Sequence, residues 1–106
     1  MSCLALGGGG IGQVWGATTR DEAVGTVVEA AASGITLFDM APSYGAGEAE
    51  RVFGEAFGGQ LPAGVRVTTK YHAGSPPEGD VYSPIRASLE SSLERMRLER
   101  VDVFFL

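Results

Sequence analysis

The sequence predicts an α/β protein in which four parallel strands alternate with three helices, and three observations carry that prediction. Short apolar runs begin near residues 4, 35, 65 and 101. Each gap between them holds a stretch whose apolar residues recur at helical spacing. The period is roughly even and every connection contains a helix, the pattern of strands that run the same way and are joined by right-handed crossovers.

The first strand, 4–6, runs into Gly7-Gly8-Gly9-Gly10-Ile11-Gly12. That run satisfies G-x-G-x-x-G, which marks a dinucleotide fingerprint when a helix opens at once. Here the first helix signal waits until Thr19, an N-cap with Glu22 three residues on, followed by an apolar face of Val24, Val27, Val28 and Ala31. A helix that starts so late cannot aim its N-terminus at a pyrophosphate held by these glycines. The run instead reads as a loop whose backbone must approach a ligand or a neighbouring strand closely.

Ser33-Gly34 closes the first helix. Residues 35–38 form an apolar run too short for a helix and bounded by Gly34 and Pro42, which reads as a buried parallel strand ending on Asp39. Carboxyl ends of parallel strands are where ligands bind and reacting side chains project, although Asp before Ala-Pro is also ordinary turn chemistry. Tyr44 lies in a short loop between Pro42 and Gly45, poorly placed for core packing, so its hydroxyl is expected to face whatever the strand ends face.

Ala49, Val52, Phe53, Ala56 and Phe57 mark the second helix, with both phenylalanines in the core and Gly58-Gly59 as its stop. In the third strand, 65–71, Val65, Val67 and Thr69 alternate with Arg66, Thr68 and Lys70. If the valines pack on the helices, Lys70 points to the inside of the sheet near its carboxyl end. A lysine there either snorkels to water or takes a counter-charge, and Asp39 on the neighbouring strand offers one. After a loop with Pro76-Pro77, Ser83 as N-cap and Pro84 as first helical residue open the third helix. Its apolar face is Ile85, Leu89, Leu93 and Met96, and Arg86, Glu90, Glu94, Arg95 and Arg97 are expected on a solvated face. Residues 101–106 read as the fourth strand.

Composition narrows the partners. A net charge of -5 without a basic cluster argues against a nucleic-acid or anionic-membrane surface, leaving a small molecule or another protein. The one cysteine, Cys3, excludes an intrachain disulfide and a cysteine zinc site, fits a cytoplasmic setting, and comes with no other sign of a metal. Residues 1–19 carry no charge but hold six glycines, too flexible for a good spanning helix, and no basic region that would open a signal peptide.

A carboxylate at one strand end, a phenol just after it and an ammonium at the next strand end form a chain of polarisation. The carboxylate keeps the ammonium charged, and a cation beside a phenol favours its ionised form. Such a phenol can give a proton to a carbonyl oxygen or take one from an alcohol.

The pattern Gly34-x-x-x-x-Asp39-x-Ala41-x-x-Tyr44-Gly45-x-Gly47-x-x-Glu50-x-x-x-Gly54, with Thr69-Lys70 and Leu6-Gly7, resembles the aldo-keto reductases over essentially the whole chain. The resemblance implies a (β/α)8 TIM barrel, of which residues 1–106 would be the N-terminal portion and a single partial domain. It implies a nicotinamide cofactor, NADPH (NADP) rather than NADH, and a catalytic tetrad of Asp, Tyr, Lys and His. Asp39, Tyr44 and Lys70 fall on the first three, with Tyr44 as general acid/base, Lys70 as its modifier and Asp39 as the partner of Lys70. Gly8 and Asp39 would lie beside the nicotinamide, and Trp15 would line the substrate mouth. The substrate would be a carbonyl or alcohol; residues 44–50 are most similar to bacterial aldose or galactose dehydrogenases, which points to sugar-like compounds.

Two departures accompany the resemblance. Met40 stands where the family commonly has Thr, and the family's His would follow at the position after Leu106, while His72 reads as a loop residue. A whole barrel takes about 250 residues. Four strands cannot close, so the outer strands would be open edges and the inner face bare. The alternative to an enzyme is therefore a non-catalytic half-barrel that self-associates through its open edges or acts as a binding module.

Overall fold

Strands β1 (Ala5–Gly7), β2 (Leu37–Asp39), β3 (Arg66–Lys70) and β4 (Val103–Phe105) alternate with helices α1 (Arg20–Ala32), α2 (Glu48–Phe57) and α3 (Tyr82–Met96). The structure is a computed structural model that describes residues 4–14, 16–71 and 79–106; Trp15, His72 and most of the Pro76-Pro77 loop lie outside the described residues. All neighbouring strands pair in parallel, as the even period predicts, and their spatial order is β1-β2-β3-β4. No helix among the described residues is long and apolar enough to cross a membrane.

Register sorts the strand residues onto two faces. Leu6, Phe38, Val67 and Thr69 turn to the helices, and Phe38, Val67 and Thr69 are fully buried there. Gly7, Asp39, Thr68 and Val103 stand in one row across the opposite, inner face, with Ala5, Leu37 and Arg66 on one side of that row and Lys70 and Phe105 on the other. Inner-face Leu37, Val103 and Phe105 are 39%, 44% and 49% exposed, so among the described residues only the helical side of the sheet is covered.

The core joins the sheet to α1 and α2. Phe38, Phe53 and Phe57 form an aromatic trio with ring centroids 5.1 to 5.9 Å apart in tilted and edge-to-face contacts, the geometry that aromatic quadrupoles favour. Outside this core, Arg20 at the start of α1 pairs with Glu48 and Glu55 of α2.

Two helix readings need correction. In α1, Thr19 caps as expected, its Oγ1 accepting from Glu22 N at 3.1 Å, but the buried residues are Ala23 and Val27, with Val28 45% exposed. Val24, Val27 and Ala31 of the expected face do pack on the core, but Ala23 takes the place given to Val28, because α1 meets α2 closely enough for alanine to be a contact residue. In α3, the helix begins at Tyr82 and Ser83 does not cap it. Asp80 Oδ1 instead accepts from Ser83 N at 3.1 Å, and Pro84 sits in the first turn, where its missing N–H leaves no bond unmade. The fourth strand is also shorter than 101–106, since Asp102 bridges to β3 by other means: its N–H donates to Val67 O and its carboxylate accepts from Val67 N.

Candidate active site

The site is built at the carboxyl ends of β2 and β3. Asp39 and Thr68 are register partners, and Lys70 follows Thr68 by two residues on the same face. The Thr68 hydroxyl donates to Asp39 Oδ1 at 2.7 Å and Lys70 Nζ donates to the same oxygen at 2.6 Å. A further bond from Nζ to Met40 O, 2.9 Å, fixes the ammonium against the backbone just past β2. The ammonium also lies 5.4 Å from the ring centroid of Tyr44 and 5.8 Å from that of Phe105, within cation–π range of both. Asp39, Tyr44 and Lys70 are thus brought together, and Asp39 Oδ2 and the Tyr44 hydroxyl have no hydrogen-bond partner among the described residues.

Tyr44 is held by two interlocked loops. Its own loop closes through Tyr44 N to Ala41 O and Ala49 N to Tyr44 O, both 3.2 Å, the second tying it to the first turn of α2. The glycine loop after β1 lies directly against it. A Cβ on Gly12 would come within 2.7 Å of Tyr44 O, and one on Gly45, whose φ is +65°, would overlap Gly12 O. These glycines therefore serve close backbone approach between loops.

Gly8 has a similar part. Its N–H donates to Asp39 O at 2.8 Å, its carbonyl accepts from Gly12 N at 3.0 Å, and a Cβ there would meet the buried Met40 Sδ at 2.7 Å. Both of its backbone polar groups are engaged within the protein. Met40, the departure from the family's Thr, is a core residue packed beneath this glycine.

Other residues around the site were given no role by the sequence reading, although Thr68 and Glu50 stood in its patterns. Thr68 shares the period-two face of Lys70. Phe105 occupies the register position opposite Lys70. Glu50 is fully buried and accepts from Thr69 Oγ1 at 2.8 Å and from Arg95 Nε at 2.9 Å. Arg95, expected on a solvated face, turns inward to make this pair and also donates to Ser92 at 3.3 Å. A buried carboxylate without a partner is too costly, so Glu50 draws the nearest cation on α3 out of solvent. Among the described residues, no three His, Cys, Asp or Glu side chains gather as a metal would need.

Residues 3–106 match the Aldo/keto reductase family. The chain belongs to that family. It is 36% identical over 107 residues to L-galactose dehydrogenase from Arabidopsis thaliana, a match that takes in 97% of this chain and 33% of that protein. Among solved structures, the glycerol dehydrogenase of Gluconobacter oxydans aligns with a TM-score of 0.74 at 35% identity, over 94% of this chain and 33% of the other. An aldo-keto reductase of Klebsiella pneumoniae solved with NADPH aligns with a TM-score of 0.75 at 28% identity, over 96% and 34%. This aldo/keto reductase chain therefore spans about a third of the length of these relatives, and its strands and helices correspond to the N-terminal third of their TIM barrels.

Proposed function

We propose that this chain carries the proton-transfer groups of a nicotinamide-dependent carbonyl reductase or alcohol dehydrogenase, within one barrel domain to which residues 1–106 contribute. The observation that supports this most is the placement of the Lys70 ammonium, bound to Asp39 and standing over the Tyr44 ring at the carboxyl ends of the strands. In reduction, Tyr44 gives its proton to the carbonyl oxygen; in oxidation, the phenolate takes one from the alcohol. Lys70 stabilises the phenolate, and Asp39 with the Met40 carbonyl holds Lys70 in place.

The residues present fit a nicotinamide nucleotide. Asp39 Oδ2 is an acceptor with no partner among the described residues and suits a hydroxyl or amide donor. Gly8 supplies a thin wall rather than a polar contact, since both of its backbone groups are engaged. When bound, the nicotinamide supplies or accepts the hydride. NADPH is the favoured form, by analogy with the Klebsiella relative. Sugar-like or polyol substrates follow from the names of the L-galactose and glycerol dehydrogenases, and a cytoplasmic setting from the cysteine usage. Trp15 is retained as a substrate-mouth residue. The family's His at the position after Leu106 would fall on the inner face, by alternation from Val103 and Phe105.

The test is carbonyl-dependent loss of NADPH absorbance by the protein that carries this chain. Tyr44→Phe is expected to lower kcat by about 100-fold or more, the usual weight of a general acid. Turnover at the parent rate in Tyr44→Phe would remove the phenol from the reaction. The exposed inner face favours a second reading, a half-barrel that binds another protein surface, for which a stable dimer without turnover would speak.

A further inference from the structure

The carboxylate of Glu50 has no contact with the proposed reacting groups, yet it sits between the elements that carry them. Glu50 is the third residue of α2, and the first turn of that helix is bonded to the Tyr44 loop through Ala49 N and Tyr44 O. Its Oε2 accepts from the hydroxyl of Thr69, the residue immediately before Lys70. Its Oε1 accepts from Arg95 Nε at 2.9 Å and Nη2 at 2.7 Å. The Arg95 stem in turn covers the end of the Tyr44 loop, for a Cβ on Gly47 would come within 2.8 Å of Arg95 Cδ. One ion pair therefore reaches a residue on each side of the contact between ammonium and phenol, Thr69 through its hydroxyl and Gly47 through the Arg95 stem.

We propose that Glu50 and Arg95 are positioning residues that set the spacing of Lys70 and Tyr44, a role that rests on the reaction proposed above. Stability alone is a poor reason for the pair. Glu50 is fully buried, and a buried ion pair gains little over apolar side chains of the same size because desolvation offsets the attraction. What apolar packing would not supply is direction. The two oxygens of Glu50 point to different elements, β3 through Thr69 and α3 through Arg95, so α2 cannot slide along β3 without breaking a bond to a charge. Lys70 on β3 and Tyr44 ahead of α2 are the groups whose separation such a slide would change.

Thr69→Val tests this with almost no change of shape, and Thr69→Ser returns the hydroxyl. The first readout needs no turnover. Lys70 is the only lysine of the 106 residues, and its rate of acylation by acetic anhydride in cofactor-free protein is followed by mass spectrometry of the peptide containing it. Thr69→Val is expected to raise that rate about tenfold and to lower kcat about tenfold, the equivalent of one hydrogen bond to a charged group. The KM for the carbonyl substrate should stay within about twofold, as expected when orientation and not binding is lost. Thr69→Ser should restore both rates. Parent-like acylation in Thr69→Val, or a serine variant as impaired as the valine one, would overturn the proposal. Should the valine variant fail to fold, Glu50→Gln replaces it, with the same direction of change in acylation expected and an unchanged rate again counting against the clamp. Absence of turnover in the parent protein would remove the proposed reaction and leave the acylation comparison to judge the positioning role.

Discussion

Asp39 Oδ1 takes two hydrogen bonds of different weight, and their separate loss distinguishes structure from chemistry. Thr68 is nearly buried, so Thr68→Val keeps the shape but removes a hydroxyl bonded to a carboxylate. Urea unfolding of that variant is expected to show a loss of about 1 to 2 kcal/mol. The pair of Lys70 with Asp39 is about a third exposed on both sides, and such pairs contribute only about 0 to 1 kcal/mol. Lys70→Met is therefore expected to unfold close to the parent midpoint while losing about 100-fold or more in carbonyl turnover. A variant that lost stability and activity together would mean that Lys70 acts through the fold. The meeting of Asp39 and Lys70 was legible in the sequence, because alternation along β3 and two strand ends side by side leave few other arrangements. The pairing of Glu50 with Arg95 was not. The two are 45 residues apart, and a helical wheel assigns every charged residue to water whatever stands across the groove.

The helices show how packing decides what propensity leaves open. Gly25 in α1 and Gly54 in α2 are both interior helical glycines, alike to any sequence rule. A Cβ on Gly25 would meet nothing within 4 Å, whereas one on Gly54 would overlap Arg95 O and approach the Met96 backbone at 3.0 Å. Gly25→Ala is thus expected to stabilise by about 0.5 to 1 kcal/mol through helix propensity. Gly54→Ala is expected to destabilise by about 1 to 3 kcal/mol by forcing α2 and α3 apart. Thermal unfolding of the two variants should move in opposite directions, and a common direction would mean that the α2–α3 contact yields. The start of α3 carries a pH dependence. The Ser83 N–H bond holds the Asp80 carboxyl below its ordinary value. A carboxylate depressed in the folded state contributes above its unfolded value and ceases to as pH falls through the folded one, so the first turn of α3 should loosen below about pH 4. Exchange of the Ser83 amide reports this, and Asp80→Ala should lose the pH dependence. Sequence reading found the element but missed this cap, because Ser83 followed by Pro84 is itself an ordinary start signal, and only geometry tells donor from acceptor.

At the scale of the whole molecule, the sheet has helices on one side only among the described residues. In the order β1-β2-β3-β4 the first and last strands are edges, and Leu37, Val103 and Phe105 face outward from the uncovered side. The even spacing of strands in the sequence was enough to predict that they run parallel, while their order and the bare face followed from the barrel that the family resemblance implied, which four strands cannot close. Which residues line it required the register. Leu37 stands between Ala5 and Arg66 in one row, so Leu37→Glu places a carboxylate beside an arginine on the same face and leaves the helical side untouched. Produced as residues 1–106 alone, the parent sequence is expected to scatter light above its monomer mass, because apolar surface of this kind seeks cover. The Leu37→Glu variant of the same segment should return toward the monomer with unchanged far-ultraviolet circular dichroism. In a closed barrel the same position would be interior, and the substitution is expected to cost about 2 kcal/mol or more in urea unfolding, since a buried carboxylate is repaid only in part by one arginine. Opposite responses to one substitution in the two settings would establish that the inner face is built to be covered, whereas a monomeric parent segment would mean that its apolar residues are too sparse to act as a surface.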